Sequence, residues 1–288
     1  MLFDESIPND KYQEYYAFRD NIELRTYRDF IELLWCIYEQ YAEPKFELKF
    51  KEDFKARFWE MYLTVFFRLN HFTIIKQKRI EGPDIQINFD NQIIHVEAVT
   101  PDLGNNDIII PSGVKGSSTN ISDQIVLRFT SSLSTKFKII SKYISKGLIS
   151  SLDPVIIALN SSKIELAKNG GQPEYILQAL FGMSSISFIE YDLQNQMKLA
   201  HKYPIRPNIV KPNKSLVNLN FFTSKDYEYI SGILYSSSTP FLTNIGSDFV
   251  FIPNPFAKNK LPKNWLIEIK VASKSTTKII IKPGNSVG

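Results

Sequence analysis

Two acidic residues, Asp84 and Glu97, stand thirteen positions apart in the stretch EGPDIQINFDNQIIHVEAVTP, residues 81 to 101. A close pair of carboxylates can share a proton and act as acid and base, or it can hold a hard, oxygen-seeking cation. Either chemistry requires the intervening chain to bring the two together. The runs DIQINF and QIIHVEAV alternate in polarity and flank Asp90-Asn91, a dipeptide suited to a two-residue hairpin turn. With Asp90 and Asn91 as the loop, Phe89 pairs with Gln92, Asn88 with Ile93, Gln86 with His95 and Asp84 with Glu97. Directly opposed side chains on one face have Cβ atoms about 4.5 to 5.5 Å apart, and like charges there repel. A shared proton, a nearby cation or open solvent must offset that repulsion. A three-residue loop would shift the register and separate the acids.

Asp84, Gln86, Asn88, His95 and Glu97 form one face of the hairpin, while Ile85, Ile87, Phe89, Ile94, Val96 and Ala98 form the other. The hairpin is therefore expected to rest on a core through its apolar side only, with the polar side free to be a site or a solvated face.

The elements around the hairpin follow from periodicity. Residues 53 to 70, DFKARFWEMYLTVFFRLN, read as a helix with Phe54, Phe58, Met61, Tyr62, Val65 and Leu69 on one face. Glu60 projects nearly opposite Phe58, at the border of the polar side, where solvent exposure is the expectation. FTIIKQKRI, residues 72 to 80, reads as a strand that carries Lys76, Lys78 and Arg79. A long connection rich in Gly, Ser, Asn and Pro, residues 100 to 120, follows Glu97. Loops of that length in compact domains are often functional.

Ser122 is a suitable N-cap for a helix from Asp123 to about Lys146, with Ile125, Phe129, Leu133, Ile139, Ile140 and Tyr143 as its buried stripe. Lys136 lies in the middle of that stripe. An inward lysine is costly unless paired, and the hairpin supplies two carboxylates; a snorkelling lysine is the alternative. Gln124 and Arg128 flank the stripe and are candidates to reach a phosphate, whereas Lys138, Lys142 and Lys146 read as a solvated basic edge. PVIIALN, residues 154 to 160, is a short apolar run typical of a buried strand.

The remainder of the 288 residues divides into an amino-terminal helical segment, 1–52, and a β-rich carboxy-terminal extension, 161–288. In the former, helices are expected over residues 11–19 and 26–41, with Phe46 to Phe50 extended. In the latter, several alternating runs could extend the first sheet or make a second layer. Hydrophobic residues are 43% of the chain, enough for a substantial core. The net charge of +4 is compatible with a polyanionic partner without requiring one. Cys36, the single cysteine, excludes an internal disulfide framework, fits a reducing compartment and reads as a small core residue. No apolar run long enough to span a bilayer and no secretory segment is read, so a cytoplasmic protein is expected. No zinc-ligand spacing, glycine-rich phosphate loop or nucleophile elbow is present.

The helix with Glu60, the strands with Gly82-Pro83-Asp84 and Val96-Glu97-Ala98, and the helix and strand that follow resemble the αβββαβ core of the PD-(D/E)XK, or restriction-endonuclease-like, nuclease superfamily. The resemblance covers residues 53–160 and implies an α/β (α+β) fold of that type. It also implies a metal-dependent nuclease, with DNA ahead of RNA as its nucleic-acid partner. Carried over by position, Asp84 and Glu97 would be metal ligands together with the Ala98 carbonyl, Mg²⁺ the cofactor with Mn²⁺ as a substitute, and Glu60 an accessory ligand. The superfamily's usual lysine two positions after the acid is here Val99. Some branches supply that lysine from the following helix, and Lys136 has the direction for it. Lys76, Lys78, Arg128 and Gln124 would then meet the nucleic-acid backbone. Two rivals follow: a catalytically inactive module of this fold that binds nucleic acid or protein, and another carboxylate enzyme such as a glycosidase.

Overall fold

The computed structural model describes residues 1–4, 10–76, 81–104, 119–169, 174–186, 188–192, 197–211, 214–262, 265, 270–275 and 278–282. Four helices open the chain: α1 (Gln13–Asp20), α2 (Arg25–Tyr38), α3 (Phe46–Glu52) and α4 (Phe54–Leu69). Phe46 to Phe50, expected to be extended, instead begins α3. Phe46 and Phe50, four residues apart, pack their rings at 6.0 Å along one face of α3, and Phe50 meets Phe54 at 4.8 Å across the start of α4. Asp53 caps α4 by accepting the Ala56 amide hydrogen bond. Helix α2 buries Ile31, Leu34, Trp35 and Tyr38 along one stripe. Cys36 and Leu33 fall off that stripe and are exposed, so Cys36 is a surface thiol and not a core residue.

The strands are β1 (Thr73–Ile74), β2 (Ile85–Phe89), β3 (Gln92–Val99) and, after helix α5 (Thr119–Ser145), β4 (Val155–Asn160). Helix α6 (Tyr175–Phe181) and two small antiparallel pairs follow: β5 (Phe188–Asp192) with β6 (Met197–Lys202), and β7 (Asn208–Val210) with β8 (Leu216–Asn218). The last strands are β9 (Gly232–Ser236), β10 (Val250–Pro253), β11 (Lys270–Ser275) and β12 (Lys278–Lys282). One mixed sheet runs β1-β2-β3-β4-β9-β10, continued by β11 and β12, so β9 and β10 extend the first sheet instead of forming a second layer. Its β3, β4 and β9 are parallel to one another, β2 runs against both of its neighbours, and β10 runs against β9 and parallel to β11. The chain is a mixed α and β protein, and no described helix is long and apolar enough to cross a membrane.

Both faces of the sheet are covered. Ile85, Ile87, Ile94, Val96, Ile156 and Ala158 pack against α1 to α4, and Val155, Ile157 and Leu159 pack against α5 and α6. Strand β4 is buried along its whole length, which is why its sequence is apolar without alternation. The long basic strand expected over residues 72–80 reduces to Thr73–Ile74, and residues 77–80 lie outside the described residues. Helix α5 starts at Thr119, so Ser122 sits within its first turn and is not its cap.

Candidate active site

The hairpin forms with a two-residue turn. Asp90 and Asn91 have φ of 49° and 63°, the double left-handed geometry that matches strand twist in such turns. The register is Phe89 with Gln92, Asn88 with Ile93, Gln86 with His95 and Ile85 with Val96, so continuing it by one step sets Asp84 against Glu97. Asp84 lies just before β2 and turns its Oδ2 back to accept the Ala98 amide at 2.7 Å. In an extended strand a residue's amide and carbonyl point to the same side, so the Ala98 carbonyl also faces the Asp84 edge, beyond the end of β2.

Lys136 enters from α5. Its Nζ is 2.7 Å from Glu97 Oε1 and 3.7 Å from Asp84 Oδ2, so one ammonium touches both carboxylates. The stripe of α5 dictates this position: Leu133 and Ile140 anchor it to the sheet and leave Lys136 directed at the hairpin. The polar face expected to lie open is covered here by α5, and His95 and Glu97 are each only 3% exposed. Asp84 keeps 29% of its side chain in solvent and is the open side of the pair.

The electrostatics follow from that burial. Desolvation and the charge of Asp84 push the Glu97 carboxyl up to about 7, against the pull of Lys136. Burial works against the Lys136 ammonium, but Asp84 and Glu97 outweigh it and hold its pKa above the usual lysine value. Glu97 Oε2 is buried and has no hydrogen-bond partner among the described residues. A buried carboxylate oxygen in that state calls for a proton or a cation. Among the described residues no group of three or more His, Cys, Asp or Glu is gathered as a metal cage. Mg²⁺ needs less, since it is commonly bound by one or two carboxylates with water completing its shell. Asp84, Glu97 and the Ala98 carbonyl fit that donor set.

Glu60, expected at a solvated border, is covered, with 12% of its side chain exposed. The reason is that α4 packs on the sheet through one side and under the other amino-terminal helices through the other. Its two oxygens accept from Tyr38 Oη at 2.7 Å and Arg57 Nη1 at 2.6 Å. Burial and then Asp84 raise the Glu60 pKa, so it lies within the electrostatic reach of the pair. Arg57, which also meets Glu43 at 3.1 Å, feels Asp84 as well. Sequence reasoning missed Arg57 and Tyr38; the signal for Arg57 was its position one turn before Glu60 on the same helix.

His95 was placed on the site's face but belongs to a structural contact. Its Nε2 is 2.9 Å from Asp153 Oδ2 and its Nδ1 is 3.3 Å from the Gln86 side-chain amide. The amide can only donate to Nδ1, so Nε2 carries the proton towards Asp153, and burial lowers the His95 pKa.

The other expected contacts divide. Arg128 lies two turns before Lys136, about 12 Å along α5, and lines a cleft of about 720 Å³ with Asp53, Asp102, Gly104, Ser131, Ser132 and Lys163. That cleft opens beyond the carboxyl ends of β3 and β4. Lys163 crosses it to Asp53 at 2.8 Å and Asp102 at 2.7 Å, tying the α4 cap to the chain after β3. Gln124 is about 18 Å from Lys136 along the helix and is not gathered with the carboxylates. Lys76 is exposed at the sheet edge, where the β1 register sets it level with Ile85. Lys78 lies outside the described residues. Lys142 and Lys146 are an exposed edge, as expected, and meet Glu81 at 3.9 and 2.6 Å.

Comparison with protein-family models, curated proteins and solved structures returned no match.

Proposed function

We propose that the chain is a divalent-metal-dependent nuclease of the PD-(D/E)XK type, with nucleic acid as its substrate. The observation that carries this reading is the single ammonium of Lys136 standing against both Asp84 and Glu97. A lysine on the helix after the strand takes the place of the one that Val99 lacks. The order α4, β1, β2, β3, α5, β4 supports the same reading, as does the buried Glu97 oxygen that has no hydrogen-bond partner among the described residues.

Asp84, Glu97 and the Ala98 carbonyl would hold Mg²⁺ or Mn²⁺. A divalent ion there supplies Lewis acidity to the phosphoryl group and lowers the pKa of water. Asp84 is the accessible ligand and Glu97 the buried one, so the pair offers a half-open seat. Lys136 donates N–H to a phosphate oxygen as negative charge develops, in surroundings of low dielectric that strengthen the contact. Glu60, held by Tyr38 and Arg57, adds negative potential on the α4 side. Arg128 and the cleft beside it offer a track for flanking phosphates, and backbone contacts of that kind carry no sequence preference. DNA ahead of RNA rests on the resemblance alone.

The test is incubation of the purified chain with plasmid DNA, single-stranded DNA and RNA, with Mg²⁺, Mn²⁺ or chelator. Metal-dependent cleavage that Asp84→Asn and Glu97→Gln abolish is the expected result. Wild-type protein that binds nucleic acid and never cuts it would establish the inactive-module alternative.

A further inference from the structure

We infer that Lys136 is an internal competitor for the cation seat between Asp84 and Glu97, and that a divalent ion entering the seat drives its ammonium off Glu97 towards the substrate phosphate. This rests on the nuclease reading and adds an order of events to it.

The geometry sets both cations against the same carboxylates. Glu97 Oε1 and Asp84 Oδ2 share one counter-ion, the Lys136 ammonium, which lies 2.7 Å from the first and 3.7 Å from the second. A divalent ion held by the same two carboxylates would compete with the ammonium for the negative charge it now neutralises. The other Glu97 oxygen is buried and has no hydrogen-bond partner among the described residues. Charge points the same way. Two carboxylates and one ammonium leave a single negative charge, so the ammonium is needed; with a divalent ion added, it is surplus and repelled at short range.

The fold gives the displaced group somewhere to go. Lys136 has a four-carbon stem with three rotatable donors, and 18% of its side chain already meets solvent. Ser132, one turn earlier on α5, borders the cleft that holds Arg128. The ammonium can therefore swing outward along the helix while α5 and β3 stay in place. A lysine at position 99 would lack this freedom, since the Val99 side chain packs against the α5 and α6 core. In the metal-free chain Lys136 thus neutralises a repelling pair and is withheld from phosphate; the ion releases it for use.

Calorimetric titration of MnCl₂ into wild-type, Lys136→Met and Lys136→Gln proteins at about pH 8, where proton competition for Glu97 is least, tests this. Both variants should bind Mn²⁺ with roughly tenfold higher affinity than wild type, because a competing cation is gone, while cleavage is lost. The glutamine keeps an N–H for Glu97 Oε1 and so guards against misfolding. In ¹⁵N-lysine-labelled wild type, Mg²⁺ should break the Lys136 hydrogen bond to Glu97 and shift its ammonium resonance. Equal or weaker Mn²⁺ binding by the variants, or an ammonium still bonded to Glu97 in the loaded protein, overturns the inference and leaves the nuclease reading standing. Wild type that takes up no Mn²⁺ overturns both.

Discussion

Lys136 Nζ and Glu97 Oε1 are 2.7 Å apart across thirty-nine residues of chain. The contact joins the α5 stripe to the end of β3, and it stands where two acids brought together by strand register need a counter-charge. Neither partner alone is comfortable there: burial disfavours the charged form of each, and each favours the charged form of the other. Asp84 tips the balance. It strengthens the charge on Lys136 and weakens that on Glu97, so the three groups behave as one site.

Asp84→Asn should separate catalysis from stability. The asparagine oxygen can still accept the Ala98 amide that Asp84 accepts at 2.7 Å, while the charge that repels Glu97 and Glu60 is gone. The expected outcome is a melting temperature equal to wild type or higher, with up to roughly 1 kcal/mol gained. Cleavage should fall by about a hundredfold or more. A variant that melts well below wild type would show that the Asp84 charge holds the fold together and is not a site feature.

The stability of the metal-free chain should fall as pH rises towards neutrality. Glu97 titrates at about 7 when folded, against an ordinary value of 4.5. A group with a raised folded pKa binds its proton more tightly in the folded state, so stability is greatest with the proton on and declines between the two values. That places the loss between about pH 4.5 and 7 and bounds it at on the order of 3 kcal/mol. Glu60, raised by burial and by Asp84, acts in the same direction. Thermal melts in chelator at pH 5, 6, 7 and 8 should step downward, Mg²⁺ should restore the upper end, and Glu97→Gln should flatten the profile. A melting temperature that climbs from pH 5 to 8 in chelator would contradict the assigned burial of Glu97.

The hairpin was legible in the sequence because strand register is counted, not weighed: Asp90-Asn91 fixes the turn, and every pairing back to Asp84 follows. Lys136 was legible because a charge inside an apolar helical stripe is costly and needs a partner. What failed was the burial of residues that depends on elements far along the chain. Glu60 looked like a border residue because nothing in residues 53–70 announces that α4 is roofed by Tyr38 and its helix. The hairpin's polar face looked open because its cover, α5, arrives after a connection whose path local pattern does not encode. Phe46 to Phe50 misled through its aromatic content, which favours strands in isolation, while the fourfold spacing that made it a helix runs on into the next segment.

Tyr38→Phe tests the support beneath Glu60. Removing the hydroxyl that lies 2.7 Å from Glu60 Oε1 leaves a buried carboxylate oxygen without that donor, which should cost about 1 to 2 kcal/mol of stability. Glu60 would then keep its proton to higher pH, since Tyr38 and Arg57 are the groups that pull its pKa down. Cleavage should persist at neutral pH with its acid limb moved towards higher pH. Denaturant melts and a pH-rate profile read the two effects separately, and an unchanged profile in a destabilised variant would confine Tyr38 to a packing role.

Gly104→Ala should disturb nucleic-acid binding without touching the chemistry. Gly104 has φ of +88°, where any side chain is strained, and a Cβ there would fall 1.7 Å from the Arg128 Cζ, so the guanidinium must leave its place over the glycine. If Arg128 contacts a flanking phosphate, affinity for DNA should drop several-fold for all sequences alike, and the slope of log affinity against log salt should shrink by about one. Arg128→Ala should give the same loss without the backbone strain. Hydrolysis of a small phosphodiester such as bis(p-nitrophenyl) phosphate should be unchanged in both, because Arg128 lies about 12 Å along α5 from Lys136, the helix's contribution to the carboxylate pair. Equal loss on the small ester and on DNA would place Arg128 in the chemistry itself, and no loss on either would remove it from the phosphate track.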